Sequence, residues 1–230
     1  MPANGSTIFV DADDTLWENN VYFEAVVQAY ARRLEARGCP PETARQTLLD
    51  IERVRTRVHG YGLRNFNLSL HEACRSLLGD DCLDELAEVD ALCASIAAQD
   101  MALLPGVEAT LETLRRRHRL IVLTKGDAAD QASKVERSGL GPMFDAVEVV
   151  KEKDADAYRD VLDRYRVDPA GAWMVGNSPK SDVLPALAVG LGAVFIPHAA
   201  TWALELERLP EAPHPRLLVL ERFEDLIRHF

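Results

Sequence analysis

Cysteine is scarce in this chain of 230 residues. The four present, Cys39, Cys74, Cys82 and Cys93, stand far apart with no C-x-x-C or Cys/His ligand spacing. That argues against a zinc site or a redox pair and predicts reduced, half-buried thiols. Long apolar runs are missing too: none approaches the length that spans a bilayer, and the opening MPANGST has neither the basic nor the apolar region of a secretory signal. Positive charge is in deficit, with 26 Lys and Arg against 37 Asp and Glu and a formal net charge of −11. Such a chain is repelled at long range by a phosphate backbone or an anionic membrane, which excludes nucleic acid and lipid as extended partners. There is no internal repeat, low-complexity segment or long flexible linker. The expectation is a cytoplasmic protein, monomer or homodimer, that handles a small molecule.

Nearly half the residues are hydrophobic, 47%, enough at this length for one large domain or for a core domain with an insertion. STIFV reads as a buried strand, a short apolar run that stops at a polar cluster. From Trp17 the pattern turns helical for some eighty residues. Asn19 or Asn20 is the expected N-cap of the first helix, Pro41 and Gly60 bound a second, and Ser69 with Glu72 has the spacing of a capping box opening a third. Residues 59–67, HGYGLRNFN, read as the least regular part of this block. From residue 104 helix-period and strand-like segments alternate through RLIVLT, FDAVEVV, AWMVG, AVFIP and LLVL. The predicted fold class is therefore α/β: a Rossmann-like parallel sheet with helices on both faces, residues 1–17 and 104–230, plus an inserted all-helical domain, residues 18–103.

Four strand ends carry polar clusters: Asp11–Thr15, Thr124–Asp127, Lys151–Lys153 and Gly176–Asp182. In a parallel sheet these ends share one edge and can converge on one pocket. Alone, the DADDT segment reads as a polar turn capping the next helix. A calcium loop fails, because Leu16 stands where Gly is needed and Tyr22 where a bidentate Glu is needed. A phosphoacceptor receiver domain fails as well, since its acceptor Asp follows a later strand.

D-x-D-x-T after the first strand, Thr124, a lysine near 153 and GNSPKSD together resemble the haloacid dehalogenase superfamily, in particular its phosphatase branch with a helical cap after the first motif. The resemblance covers nearly the whole chain. It implies a Mg²⁺-dependent phosphomonoesterase acting on a small phosphorylated metabolite through an aspartyl-phosphate. Asp11 is then the nucleophile and Asp13 the general acid and base, its pKa raised by the negative field around it. Mg²⁺ is held by Asp11, the Asp13 carbonyl and Asp182, with Asn177, where the family has an acid, accepting from a metal-bound water. Thr124 binds the phosphoryl group with the amide of Lys125 or Gly126, and Lys153 supplies the fixed cation, Lys151 being the weaker candidate. Lys125 either adds a cation near the substrate or points to solvent. Asp14 serves as a cap or supporting acceptor and Thr15 holds the loop. In the cap, Arg64 or Tyr61 contacts the substrate or packs on the bundle, and His198 and Trp202 are rim candidates. Asp13 favours phosphate-ester chemistry over the alternative, a 2-haloacid dehalogenase, while Asn177 keeps a catalytically silent binding protein open.

Overall fold

In the computed structural model, residues 5–211 and 214–230 are described; the MPAN opening lies outside them. The apolar run Thr7–Val10 is strand β1, and its neighbours explain why it is apolar on both faces. It pairs in parallel with β2 (Arg119–Lys125) on one side and β4 (Ala172–Gly176) on the other. With β3 (Ala146–Val150), β5 (Gly192–Phe195) and β6 (Leu217–Val219) the sheet is six-stranded and parallel, in the order β3-β2-β1-β4-β5-β6. Successive β1 residues divide between two cores. Ile8 and Val10 face one that includes Leu111 and Leu114 of α5 (Val107–Leu114) and Val135 of α6 (Ala128–Ser138). Phe9 faces another with Tyr158 and Val161 of α7 (Ala155–Tyr165) and Ala186 of α8 (Leu184–Ala188). A parallel strand covered on both faces by crossover helices has no polar face to show.

The strand order reverses at β1, so the crevice past the carboxyl ends of β1 and β4 is the topological switch point, where such sheets place ligands. Val10 is in register with Val122 and Val175, which sets Asp11 one residue beyond both pairs.

The chain divides into two compact units, residues 1–18 with 101–230, and residues 19–100. The boundaries lie one and three residues from those expected. The reason is local: Glu18 N donates to Ala102 O at 2.9 Å and Leu104 N to Leu16 O at 3.0 Å, so both connecting segments are tied into the α/β unit. Taken by itself, the other unit is all-helical: α1 (Asn20–Ala36), α2 (Pro41–His59), α3 (Leu63–Leu78) and α4 (Leu83–Ala97). Tyr30, Leu34, Leu48, Leu70, Cys74 and Val89 fill its core, and Phe23 meets Phe66 edge-on with ring centroids 4.9 Å apart.

Two local expectations change. The third helix starts at Leu63, not at Ser69, so Ser69 is no cap: its buried hydroxyl donates to Asn65 O one turn back, 2.8 Å. Phe66, Leu70, Ala73 and Cys74 continue one apolar stripe upstream of the supposed start, and burial of that stripe outweighs the capping-box signal. Residues 59–67 accordingly shrink to a short bend around Tyr61 between Gly60 and Gly62, both at positive φ. Among the described residues no helix is long and apolar enough to cross a membrane, and the four cysteines are free thiols.

The helices that follow β2 and β3, α6 and α7, are capped by carboxylates. Asp127 accepts from Ala129 N and Asp130 N at 2.9 and 3.0 Å, opening α6. Asp127→Ala is expected to lower stability by about 1 kcal/mol, read as a lower urea midpoint at unchanged m; no shift would show that the cap contributes nothing.

Candidate active site

Asp11 leaves the sheet with its amide still donating to Val175 O, 2.9 Å. Its carboxylate is buried, and one oxygen accepts from the ammonium of Lys153, which stands after β3. The same ammonium donates to Asp182 Oδ1 at 2.8 Å. Asp182 lies on the π-helical turn Pro179–Val183 behind β4, and Ser178 N donates to its other oxygen at 2.9 Å. A Cβ on Gly176 would lie 2.1 Å from Asp182 Oδ2, so glycine there is what lets the carboxylate fold back against the strand end. Three strand ends thus meet at one ammonium, and both Lys153 and Asp182 have side chains 1% exposed.

Two buried carboxylates share one cation, leaving an excess negative charge. Burial first, and then the charge of Asp182, push the Asp11 carboxyl up to about 7 despite Lys153. Lys153 goes up as well: burial opposes its charge, but Asp11 and Asp182 outweigh burial. An under-neutralised pair of buried oxygen ligands suits a hard divalent cation. Asp11 and Asp182 could hold one here, and Asp14, Glu18 and His198 bring a second group of ligand atoms within 4.8 Å of one another.

Asp13 sits two residues on in a different environment. Lys134 donates to both its oxygens, at 2.9 and 2.8 Å, Gln131 Nε2 to Oδ2 at 3.0 Å and Trp17 Nε1 to Oδ1 at 2.8 Å. Burial alone would raise this carboxyl, but the Lys134 charge and these hydrogen bonds overcome it and hold it below the usual range. This corrects the expectation that Asp13 is the raised acid; the raised group is Asp11. The clamp was not read from the sequence. A signal existed, since Gln131 falls on the apolar stripe of α6 with Val135, and Lys134 follows it by one turn.

The remaining predicted residues divide. Thr124 is the penultimate residue of β2, 2% exposed, and its hydroxyl takes no hydrogen-bond partner among the described residues. Lys125 fits neither reading offered for it: its ammonium, largely buried, donates to Glu205 at 2.6 Å, Ser181 at 2.9 Å and Glu152 at 3.1 Å, which matches its three hydrogens. Gly126 is at positive φ, and its amide is engaged by Val150 O at 3.1 Å, so it is not a waiting phosphate donor. Asn177 Oδ1 accepts from Thr15 Oγ1 at 3.3 Å, and its Nδ2 donates to Thr201 at 3.1 Å. Thr15 also donates to Asp11 at 3.2 Å, tying the loops after β1 and β4 together. Asp14 adopts the left-handed conformation, φ 60, which Asp tolerates, and its amide donates to Trp17 O at 2.8 Å. His198 places Nδ1 3.7 Å from Asp14 and Nε2 3.1 Å from Glu18. Lys151 is exposed. Arg64 and Tyr61 belong to the helical unit: Arg64 is exposed on the first turn of α3, Tyr61 half-buried in the bend before it.

Lys153→Met would leave Asp11 and Asp182 facing each other without a cation, and the expected loss is about 3–5 kcal/mol near pH 8. In metal-free buffer the loss should shrink toward pH 6, because the native Asp11 then takes up a proton that the unfolded carboxyl, near 3.8, does not. Urea unfolding at the two pH values checks this; an equal loss at both would refute the coupling.

The family model for haloacid dehalogenase-like hydrolases matches residues 6–190. Among curated proteins the chain is 32% identical over 132 residues to N-acylneuraminate-9-phosphatase of Mus musculus, covering 54% of this chain and 51% of that one. It is 30% identical over 131 residues to glyceraldehyde 3-phosphate phosphatase of Pyrococcus furiosus, 52% and 55% of the two chains. The alignments therefore span about half the length of these curated relatives. A haloacid dehalogenase-like family hydrolase from Xanthomonas campestris superposes with a TM-score of 0.83 at 26% identity over 98% of this chain and 91% of its own. L-2-haloacid dehalogenase from Xanthobacter autotrophicus shares the fold, with a TM-score of 0.64 at 20% identity over 97% of each chain. With a family match that spans most of the chain, this protein belongs to the haloacid dehalogenase-like hydrolases.

Proposed function

We propose that the chain is a Mg²⁺-dependent phosphomonoesterase that hydrolyses a small phosphorylated metabolite through an aspartyl-phosphate on Asp11. The observation that carries this reading is the meeting of Asp11, Lys153 and Asp182 at one buried point, with a second carboxylate, Asp13, two residues from the nucleophile. The phosphatase relatives support the substrate class. Bound between the Asp11 and Asp182 carboxylates and the Asp13 carbonyl, Mg²⁺ would supply positive charge to offset theirs and that of the phosphoryl oxygens.

On this reading the side chains take the following roles. Asp11 attacks phosphorus, the P–O bond to the leaving group breaks, and Lys153 stays paired with the nucleophile to neutralise the transferred oxygens. Thr124 offers its hydroxyl to a phosphoryl oxygen. For the first step Asp13 must leave its Lys134 clamp and carry a proton, which it gives to the departing alkoxide. As a carboxylate it then takes a proton from the water that attacks the aspartyl-phosphate, which restores the proton for the next turnover. The ionised state held by Lys134 is the one the second step requires. Asn177 and Thr15 keep the loops after β1 and β4 in step. Leaving-group choice is assigned to the helical unit, with Arg64 and Tyr61 as its candidates. Four free thiols fit a reducing compartment, in line with a cytoplasmic enzyme.

Phosphate release from p-nitrophenyl phosphate and a panel of sugar phosphates, with and without Mg²⁺, tests this. Asp11→Asn should abolish turnover and Asp13→Asn should lower kcat by about 10²–10⁴-fold, in variants that melting curves show to be folded. Chloride release from a 2-haloacid without phosphatase activity, or no turnover at all, would overturn the proposal.

A further inference from the structure

Behind the site the polar contacts close into a ring. Starting at Asp182, its Oδ1 accepts from Lys153 Nζ at 2.8 Å, and the backbone N of Lys153 donates to Glu152 Oε1 at 3.0 Å. Glu152 accepts from Lys125 Nζ at 3.1 Å, and Lys125 donates to Glu205 Oε1 at 2.6 Å. The other Glu205 oxygen accepts from Ser178 Oγ at 2.6 Å, and Ser178 N returns to Asp182 Oδ2 at 2.9 Å. Ser181 braces the ring from inside: its N donates to Ser178 Oγ at 2.9 Å, its hydroxyl accepts from Lys125 at 2.9 Å and donates to Glu205.

Five of the six ring members stand at the ends of β2, β3 and β4. Glu205 does not. It comes from the single turn Ala203–Glu205 after β5, is 8% exposed, and spends its carboxylate on Lys125, Ser178 and Ser181. No strand-end motif contains it, and no assigned chemical step uses it. Yet its carboxylate joins Lys125 to both Ser178 and Ser181, reinforcing the direct Lys125–Ser181 bond between Lys125 and the segment carrying Asp182.

We propose that Glu205 is a positioning residue: by closing this ring it fixes the Asp182 carboxylate and the Lys153 ammonium relative to Asp11. A network of this kind rigidifies when complete and is costly when one partner is removed, because the others stay buried. Without the Glu205 carboxylate the Lys125 ammonium keeps Glu152 and Ser181, while the Ser178 and Ser181 hydroxyls lose their shared charged acceptor. The catalytic consequence rests on the phosphatase reading; the effect on the Asp182 carboxylate does not.

The test uses the full chain with Glu205→Gln and, as a smaller change, Ser181→Ala. Melting curves establish folding, calorimetry measures Mg²⁺ binding without substrate, and kinetics on p-nitrophenyl phosphate give kcat and KM. For Glu205→Gln we expect a folded protein whose Mg²⁺ Kd rises and whose kcat falls by about 10–100-fold, with KM nearly unchanged. Ser181→Ala should move both in the same direction by about 2–10-fold, and carries the test if the first variant does not fold. Folded variants with wild-type Mg²⁺ affinity and kcat, whether or not their melting temperature drops, would overturn the inference. If the wild type binds Mg²⁺ but releases no phosphate, the functional reading fails alone, and the shift in Kd, or its absence, still decides the role of Glu205. A wild type that neither binds Mg²⁺ nor turns over would overturn both.

Discussion

An ammonium buried between two carboxylates organises this protein. Lys153, Asp11 and Asp182 come from the ends of three strands, and each would be costly to bury alone. Together they are still one negative charge out of balance, and the imbalance is displayed at the switch point of the sheet, where the strand order reverses. The rest of the α/β unit serves this placement. Two apolar cores hold β1 between β2 and β4, glycine at 176 lets Asp182 fold back, and Thr15 with Asn177 ties the neighbouring loops.

Two aspartates separated by a single alanine are pushed in opposite directions by their surroundings. Asp11 is buried and faces another carboxylate with too little positive charge, so its proton is held more tightly. Asp13 faces away into Lys134, Gln131 and Trp17, so its proton is held less tightly. Alternation along an extended backbone accounts for neither direction. The partners do: Asp182 and Lys153, from behind β4 and β3, for Asp11, and Lys134 and Gln131 of α6 for Asp13, each more than a hundred residues along the chain.

Lys125 illustrates how charge at a site edge can be structural. Next to Thr124, it invites a reading as a substrate-binding cation; in the fold its hydrogens are matched by Glu152, Ser181 and Glu205. The cation left facing the nucleophile is Lys153 alone, among the lysines considered from sequence. The net charge of −11 is therefore no guide to the field at the centre, where individual pairings decide.

The sheet, its parallel sense, the inserted helical block and the four polar strand ends were legible because each rests on local pattern: apolar runs without alternation for buried parallel strands, 3.6-residue periodicity for helices, and polar clusters where strands stop. The start of α3 was misread because a capping-box spacing at Ser69 and Glu72 is also local, and burial of Phe66 on the same stripe overrode it. What pattern alone could not reach were the pairings: Lys134 on Asp13, Glu205 on Lys125, the Gly126 amide on Val150. By itself the sequence determined which residues stand at the carboxyl edge of the sheet, since strand period and length are written in it. Only the tertiary structure decided which of them face one another and with what charge, because a hydrogen bond between residues a hundred positions apart depends on packing that no short stretch encodes.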